Sequence, residues 1–186
     1  AIEKECHRKA VDSHLIAGEN GGWTMDFDDI EEKCADPANR IFLLCNPHNP
    51  IGRVWTENEL STLDTICKEY NVLLVSDEVH CDIVRRDVHF CPLGRVVEDW
   101  SNVIVLTAVN KSFNLAGLMC SNAIIPDAFL QARFLREFGR RQPTPFAIAA
   151  LVAAYEEGDE WLEQMNDYID ANINWVLGFL RAKMPL

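Results

Sequence analysis

Ile41-Phe42-Leu43-Leu44-Cys45 is an unbroken apolar run that passes straight into Asn46-Pro47-His48-Asn49-Pro50-Ile51-Gly52. Thr56-Glu57-Asn58-Glu59 follows, then Leu60, Leu63, Ile66, Cys67 and Tyr70, and a second apolar run, Val72-Leu73-Leu74-Val75, ends in Ser76-Asp77-Glu78. Short apolar runs without alternation suit strands buried on both faces. Thr-x-x-Glu is a capping box, and the apolar spacing behind it marks one face of a helix. Strand, helix and strand in this order make a parallel crossover unit.

The same grammar extends outward. Val103-Ile104-Val105-Leu106 and Asn122-Ala123-Ile124-Ile125 read as further strands, and Asp26 to Cys34 as a short helix with acidic residues in its first turn. After Pro126 the chain turns helical: Asp127 to Phe138, Pro145 to Glu157 and Glu160 to Lys183, the last with Trp161, Met165, Tyr168, Trp175 and Phe179 at turn-like intervals. The expected fold is α/β, a three-layer αβα arrangement around a mostly parallel sheet, with a helical final third. Residues 1–160 are expected to form part of one large domain, and 161–186 a long helix leading toward a smaller domain not contained in the chain. The absence of an initiator Met, and Met184-Pro185-Leu186 following directly on a helix, suggest an excised or processed piece.

Composition narrows the class. The chain has 186 residues, enough to bury roughly 70% of its unfolded surface. Its 48% apolar and 25% charged residues are ordinary for a globular protein. The longest nearly continuous apolar run, Phe146 to Tyr155, falls well short of the ~18 residues of a membrane span. Ala1-Ile2-Glu3-Lys4-Glu5 has no signal-peptide core. A net charge of −12 opposes binding to nucleic acid or an anionic membrane. Arg133, Arg136, Arg140 and Arg141 are the local exception, read as a solvated helix face with a phosphate or partner contact as the alternative. The seven cysteines form no CxxC pair and several sit in apolar runs, which fits small hydrophobes in a reducing cytoplasm.

Ligands of open parallel sheets bind beyond the carboxyl ends of the strands, and three such ends carry unusual polar residues. The first presents Asn46 and Asn49 between prolines that fix the backbone; a plain turn is the competing reading. The second presents Asp77, where burial is costly unless a cation answers it; a capping Asp is the competing reading. A nucleotide hydrolase would need a GxxxxGK[ST] loop, which the sequence lacks. His80, Cys81, His89 and Cys91 are soft metal ligands, but adjacent His and Cys point apart, which disfavours zinc. The third end, Thr107-Ala108-Val109-Asn110-Lys111-Ser112-Phe113, carries the only lysine between Lys68 and Lys183. Partial desolvation would make it a nucleophilic amine; a snorkelling surface lysine is the competing reading. An amine able to form an imine, an acid able to hold a protonated ring nitrogen and an amide able to bond a phenolate oxygen are together what pyridoxal phosphate requires.

At these residues the sequence resembles fold-type I pyridoxal-phosphate enzymes of the class I/II aminotransferase superfamily. It is most similar to the MalY/PatB-like branch of cystathionine β-lyases, or C–S lyases. The resemblance rests on the order and spacing of Leu44 to Thr56, Ser76 to Asp82, Lys111 to Leu118 and Glu157 to Leu162. It implies that Asn49 contacts the cofactor's phenolic oxygen, Asp77 its ring nitrogen, and Lys111 joins it covalently and then removes the substrate α-proton. His80 stands where many aminotransferases have a tyrosine, and His there is typical of the lyase branch. The implied reaction is β-elimination from L-cystathionine or another cysteine S-conjugate, giving a thiol, pyruvate and ammonia.

Two departures from the pattern stand out. Val109-Asn110 replaces the usual Ser before the lysine, and Ala108 lacks a hydroxyl that relatives offer the phosphate, leaving Thr107 or Asn110 to substitute. The glycine-rich phosphate turn, the ring-stacking aromatic and the carboxylate-binding arginine have no counterparts in the chain. The resemblance also implies a cytoplasmic homodimer with a small amino-acid substrate and no nucleic-acid or membrane partner. An aminotransferase with the same cofactor handling, a cofactor-sensing regulatory domain and a non-catalytic scaffold are the alternative readings.

Overall fold

A computed structural model of the chain describes residues 2–18, 21–139 and 141–184. Ala1, Arg140, Pro185 and Leu186, on which parts of the sequence reading fall, lie outside them. The elements run α1 (Ile2–Cys6), β1 (Ile16–Ala17), β2 (Trp23–Thr24), α2 (Phe27–Ala35), β3 (Ile41–Cys45), α3 (Glu57–Glu69), β4 (Leu73–Asp77), β5 (Val103–Thr107), α4 (Val109–Ser112), β6 (Asn122–Ile124), α5 (Ala128–Phe138), α6 (Pro145–Glu157) and α7 (Asp159–Lys183). Short 3₁₀ turns fall at Leu93–Arg95 and Ala116–Leu118. The sheet order is β3-β4-β5-β6, parallel except for the antiparallel β5–β6 pair. The fold is therefore mixed α/β around a mostly parallel sheet.

The helix starts follow from local chemistry. Asp26 caps α2 by accepting the Asp29 N–H. Thr56 accepts the Glu59 N–H while Glu59 accepts the Thr56 N–H, completing the capping box of α3. Thr144 caps α6 ahead of Pro145 at its first turn. Ile30 and Cys34 of α2 and Leu60, Leu63, Ile66 and Cys67 of α3 pack on Leu44, Leu74, Val103 and Val105 of the sheet. Trp55 and Leu93 close this core near the carboxyl ends of the strands. All seven cysteines are free thiols, and burial pushes those of Cys34 and Cys67 up, as befits inert packing groups.

The structure corrects two expectations. Burial on both faces holds for the first three residues of β5 but not for β3, whose Ile41 and Leu43 are exposed. β3 lies at the edge of the sheet, and α2 and α3 cover only the face that carries Phe42 and Leu44. Between β4 and β5 the chain is irregular apart from one 3₁₀ turn, so strand and helix do not alternate strictly. Along α7, Trp161, Tyr168, Trp175 and Phe179 are all exposed, although Trp161 stacks on Phe113 with ring centroids 5.5 Å apart. Arg133, Arg136 and Arg141 are exposed as expected of a solvated face. Among the described residues no helix is long and apolar enough to cross a membrane.

Truncating a core side chain should separate sharply from truncating an edge one. Leu63→Ala, at a fully buried position, is expected to lose about 2–5 kcal/mol. Ile41→Ala, at a position 57% exposed, is expected to lose under about 1 kcal/mol. Urea midpoints at constant slope measure both.

Candidate active site

Register brings three polar strand ends to one level. Cys45 lies opposite Asp77, and Asp77 opposite Leu106, so Asn46, Asp77 and Thr107 stand at the same carboxyl edge. Neighbouring parallel strands are about 4.8 Å apart, so the three ends share one short stretch of that edge. The last rungs are the Asn46 N–H donated to the Asp77 carbonyl at 3.0 Å and the Glu78 N–H to the Leu106 carbonyl at 2.8 Å.

The turn carrying Asn49 is braced from both sides. His48 and Arg53 exchange a backbone bridge, and Gly52, at φ +70°, donates to the His48 carbonyl at 2.8 Å. Arg53 forks onto Glu59, Nη1 to Oε1 at 2.8 Å and Nη2 to Oε2 at 3.1 Å, and its guanidinium lies 4.5 Å from the centre of the Trp55 ring. Burial pushes the Glu59 carboxyl up, but Arg53 and the Thr56 donors outweigh it and hold it below the ordinary value. One carboxylate thus caps α3 and grips the turn. Asn49 itself is exposed at the tip, its N–H directed to the Cys45 sulfur at 3.4 Å.

Asn46, fully buried, is a strut and not a ligand-facing group. It donates through Nδ2 to the Cys91 carbonyl at 2.9 Å and accepts the Trp55 N–H at 3.4 Å. Below Asp77 sits Glu78, buried to 2% exposure, accepting the Ser76 hydroxyl at 3.0 Å and the Leu93 N–H at 2.8 Å. Sequence reasoning quoted Glu78 without giving it a part. Its signal was the acid pair itself, because two adjacent residues at a strand end point to opposite sides and one must face inward.

Asp77 is exposed, with no ion pair among the described residues; its Oδ1 accepts the Val79 N–H at 3.2 Å, which turns the chain away from the sheet. His80 follows in that turn, half-buried, its carbonyl accepting from Ile83. Lys111 is likewise exposed, not desolvated: on the single helical turn of α4, Val109 and Ser112 face inward and Lys111 faces out. Thr107 ends β5 with its Oγ1 accepting the Asn122 Nδ2 at 3.2 Å, and its hydroxyl donates to no group among the described residues. Asn110 Oδ1 is buried without a partner. The loop with His80 and the turn with Lys111 are tied together by the Ser112 hydroxyl, which donates to Asp82 Oδ2 at 2.6 Å. Among the described residues no three His, Cys, Asp or Glu side chains gather in metal-binding geometry.

An acid, an amine, an amide, a free hydroxyl and an orphaned amide oxygen on one edge of a parallel sheet suit a polar aromatic cofactor that carries a phosphate. The family model for aminotransferase class I and II matches residues 10–183, and the chain belongs to that family. Within it, the chain is 38% identical to cystathionine beta-lyase PatB of Bacillus subtilis, over 89% of its own length and 44% of that protein. It is 35% identical to Protein MalY of Escherichia coli, over 97% of its length and 47% of that protein. The PLP-bound C–S lyase of Staphylococcus hominis superposes with a TM-score of 0.85 at 41% identity, over 94% of this chain and 44% of the lyase. The chain spans a little under half the length of these relatives.

The Glu78 network has a pH signature. Burial pushes the Glu78 carboxyl up, against the lowering pull of the Leu93 N–H, Ser76 and Asn46. The folded state therefore binds this proton more tightly than the unfolded state, and Glu78 costs stability as pH rises from about 4.3 through its folded value. Glu78→Gln should match wild type in acid and equal or exceed it at neutral pH. Glu78→Ala, which strands the Leu93 N–H, should lose about 1–3 kcal/mol. Urea midpoints from pH 4 to 8 measure both variants.

Proposed function

We propose that the longer protein to which this chain corresponds is a pyridoxal-phosphate-dependent C–S lyase, cleaving L-cystathionine or a related cysteine S-conjugate to a thiol, pyruvate and ammonia. The observation that carries this reading is the level register of β3, β4 and β5, which sets the Asn49 turn, Asp77 and the Lys111 turn on one edge. The similarity to PatB and to the Staphylococcus hominis lyase supports the lyase branch over the aminotransferases.

Pyridoxal phosphate, when bound, supplies an electron sink for a carbanion at the substrate Cα. The chain's residues do the rest. Lys111 Nζ would hold the cofactor through its aldehyde and, once the substrate amine has displaced it, would be free to serve as the base for the Cα proton. The Asp77 carboxylate, open at the edge, accepts the ring N–H and keeps the proton there by a charge-assisted hydrogen bond. Asn49 would donate through its amide to the phenolic oxygen, and His80 would be a second group for that oxygen. The free Thr107 hydroxyl donates to the phosphate. The orphaned Asn110 amide offers it a second donor once its oxygen and nitrogen are exchanged, an assignment that hydrogen-bond partners decide. Residues 1–160 read as part of the cofactor-binding domain and 161–186 as the helix toward a smaller one.

Addition of pyridoxal phosphate to the full-length protein is expected to give a visible absorbance band that borohydride abolishes, leaving the label on Lys111. Lys111→Ala should abolish the band. Label on another lysine of the wild type would contradict the assignment. Cystathionine should then yield pyruvate and ammonia; a new amino acid formed from an added oxo acid would mark an aminotransferase instead.

A further inference from the structure

We propose that Asp82 is a positioning residue for Lys111, acting through the Ser112 hydroxyl while Asn166 fixes it against α7. The inference rests on the reading of Lys111 as the cofactor-bearing amine and concerns residues that reading leaves without a part.

The lysine sits on four helical residues, Val109–Ser112, whose N-cap is Ala108 with no side-chain cap. One turn of helix does not hold itself in water, since nucleation fixes several residues for a single hydrogen bond. Tertiary contacts must therefore set the turn. Val109 and Ser112 are buried, and Ser112 makes the turn's side-chain hydrogen bond, to Asp82 Oδ2 at 2.6 Å across 30 residues of sequence. The short distance and the ionised acceptor make it one of the stronger kinds of hydrogen bond. Asp82 is anchored in turn. Its Oδ1 accepts the Cys81 thiol at 3.4 Å, and its carbonyl accepts Asn166 Nδ2 at 2.8 Å. Burial, with Asp82 alongside, pushes the Cys81 thiol up to about 12, so it stays a donor. Asp82 thereby joins the loop of His80, the turn of Lys111 and α7.

Lys4, Lys9, Lys33, Lys68 and Lys183 provide an internal reference for the test. The full-length protein is treated briefly with pyridoxal phosphate and borohydride, and the label on Lys111 is compared with that on the other lysines by peptide mapping. Ser112→Ala and Asp82→Ala are each expected to reduce the Lys111 preference about tenfold, and the double variant no further, because both remove one bond. Asp82→Asn, which keeps an acceptor, should retain most of the preference. Asn166→Ala, a milder change at a half-buried site, should lower it about threefold with the thermal midpoint little altered. A wild type without preference for Lys111 would refute the cofactor assignment. A wild type with that preference, retained in Ser112→Ala, Asp82→Ala and Asn166→Ala, would overturn the positioning role alone. So would losses that add in the double variant. Should the alanine variants at 82 and 112 fail to fold, Asn166→Ala and Asp82→Asn decide, and an unchanged preference in Asn166→Ala overturns the proposal.

Discussion

The backbone ladder joining β3, β4 and β5 is the constraint from which the rest follows. Parallel pairing in this register stops all three strands within a residue of one another, at Cys45, Asp77 and Thr107. Each chain must then leave the sheet at the same edge, with backbone groups that no further strand will pair. The protein answers that demand with side chains and turns: Asn46 and Trp55 above β3, Glu78 with Ser76 and Leu93 above β4, and the one-turn α4 above β5. Asn49, Asp77 and Lys111 are exposed at this edge while their neighbours carry most of the structural load. Asn46 beside Asn49, Glu78 beside Asp77 and Ser112 beside Lys111 each pair a buried, bonded residue with an exposed one.

That pairing explains much of what the sequence disclosed. The strands were legible because Ile41–Cys45, Leu73–Val75 and Val103–Leu106 are apolar runs ended abruptly by polar residues, and α3 because Thr56 and Glu59 announce its first turn. The candidate residues were legible as types out of place: a lysine after a buried strand, an acid at a strand mouth, amides among prolines. The exposure of Asp77 and Lys111 was not legible, since it depends on what lies over the edge and not on local pattern. Nor were the contacts that cross the chain. Ser112–Asp82, Asn46–Cys91 and Arg85–Asp170 are separated by 30, 45 and 85 residues, and no periodicity encodes their partners.

The long helix shows the same limit from the other side. Its half-buried residues include Leu162, Met165, Ile169 and Ile173, and its hydrogen bonds to the body come from polar positions interleaved with them. Arg85 donates to Asp170 and Asn174, Arg86 to Asp167 and the Glu163 carbonyl, and Asn166 to the Asp82 carbonyl. Positions 163, 166, 167, 170 and 174 are spaced three or four apart and so line one side of the helix.

Contacts made through charge answer to different conditions from contacts made through oil. The apolar contacts under α2 and α3 are indifferent to dissolved electrolyte, whereas the two arginine pairs on α7, one partly buried and one exposed, are screened by it. Rising ionic strength should therefore loosen the grip on α7 while the sheet and its core stay intact. The molecule carries a seam that salt can reach, running from the far helix to the loop beside the lysine.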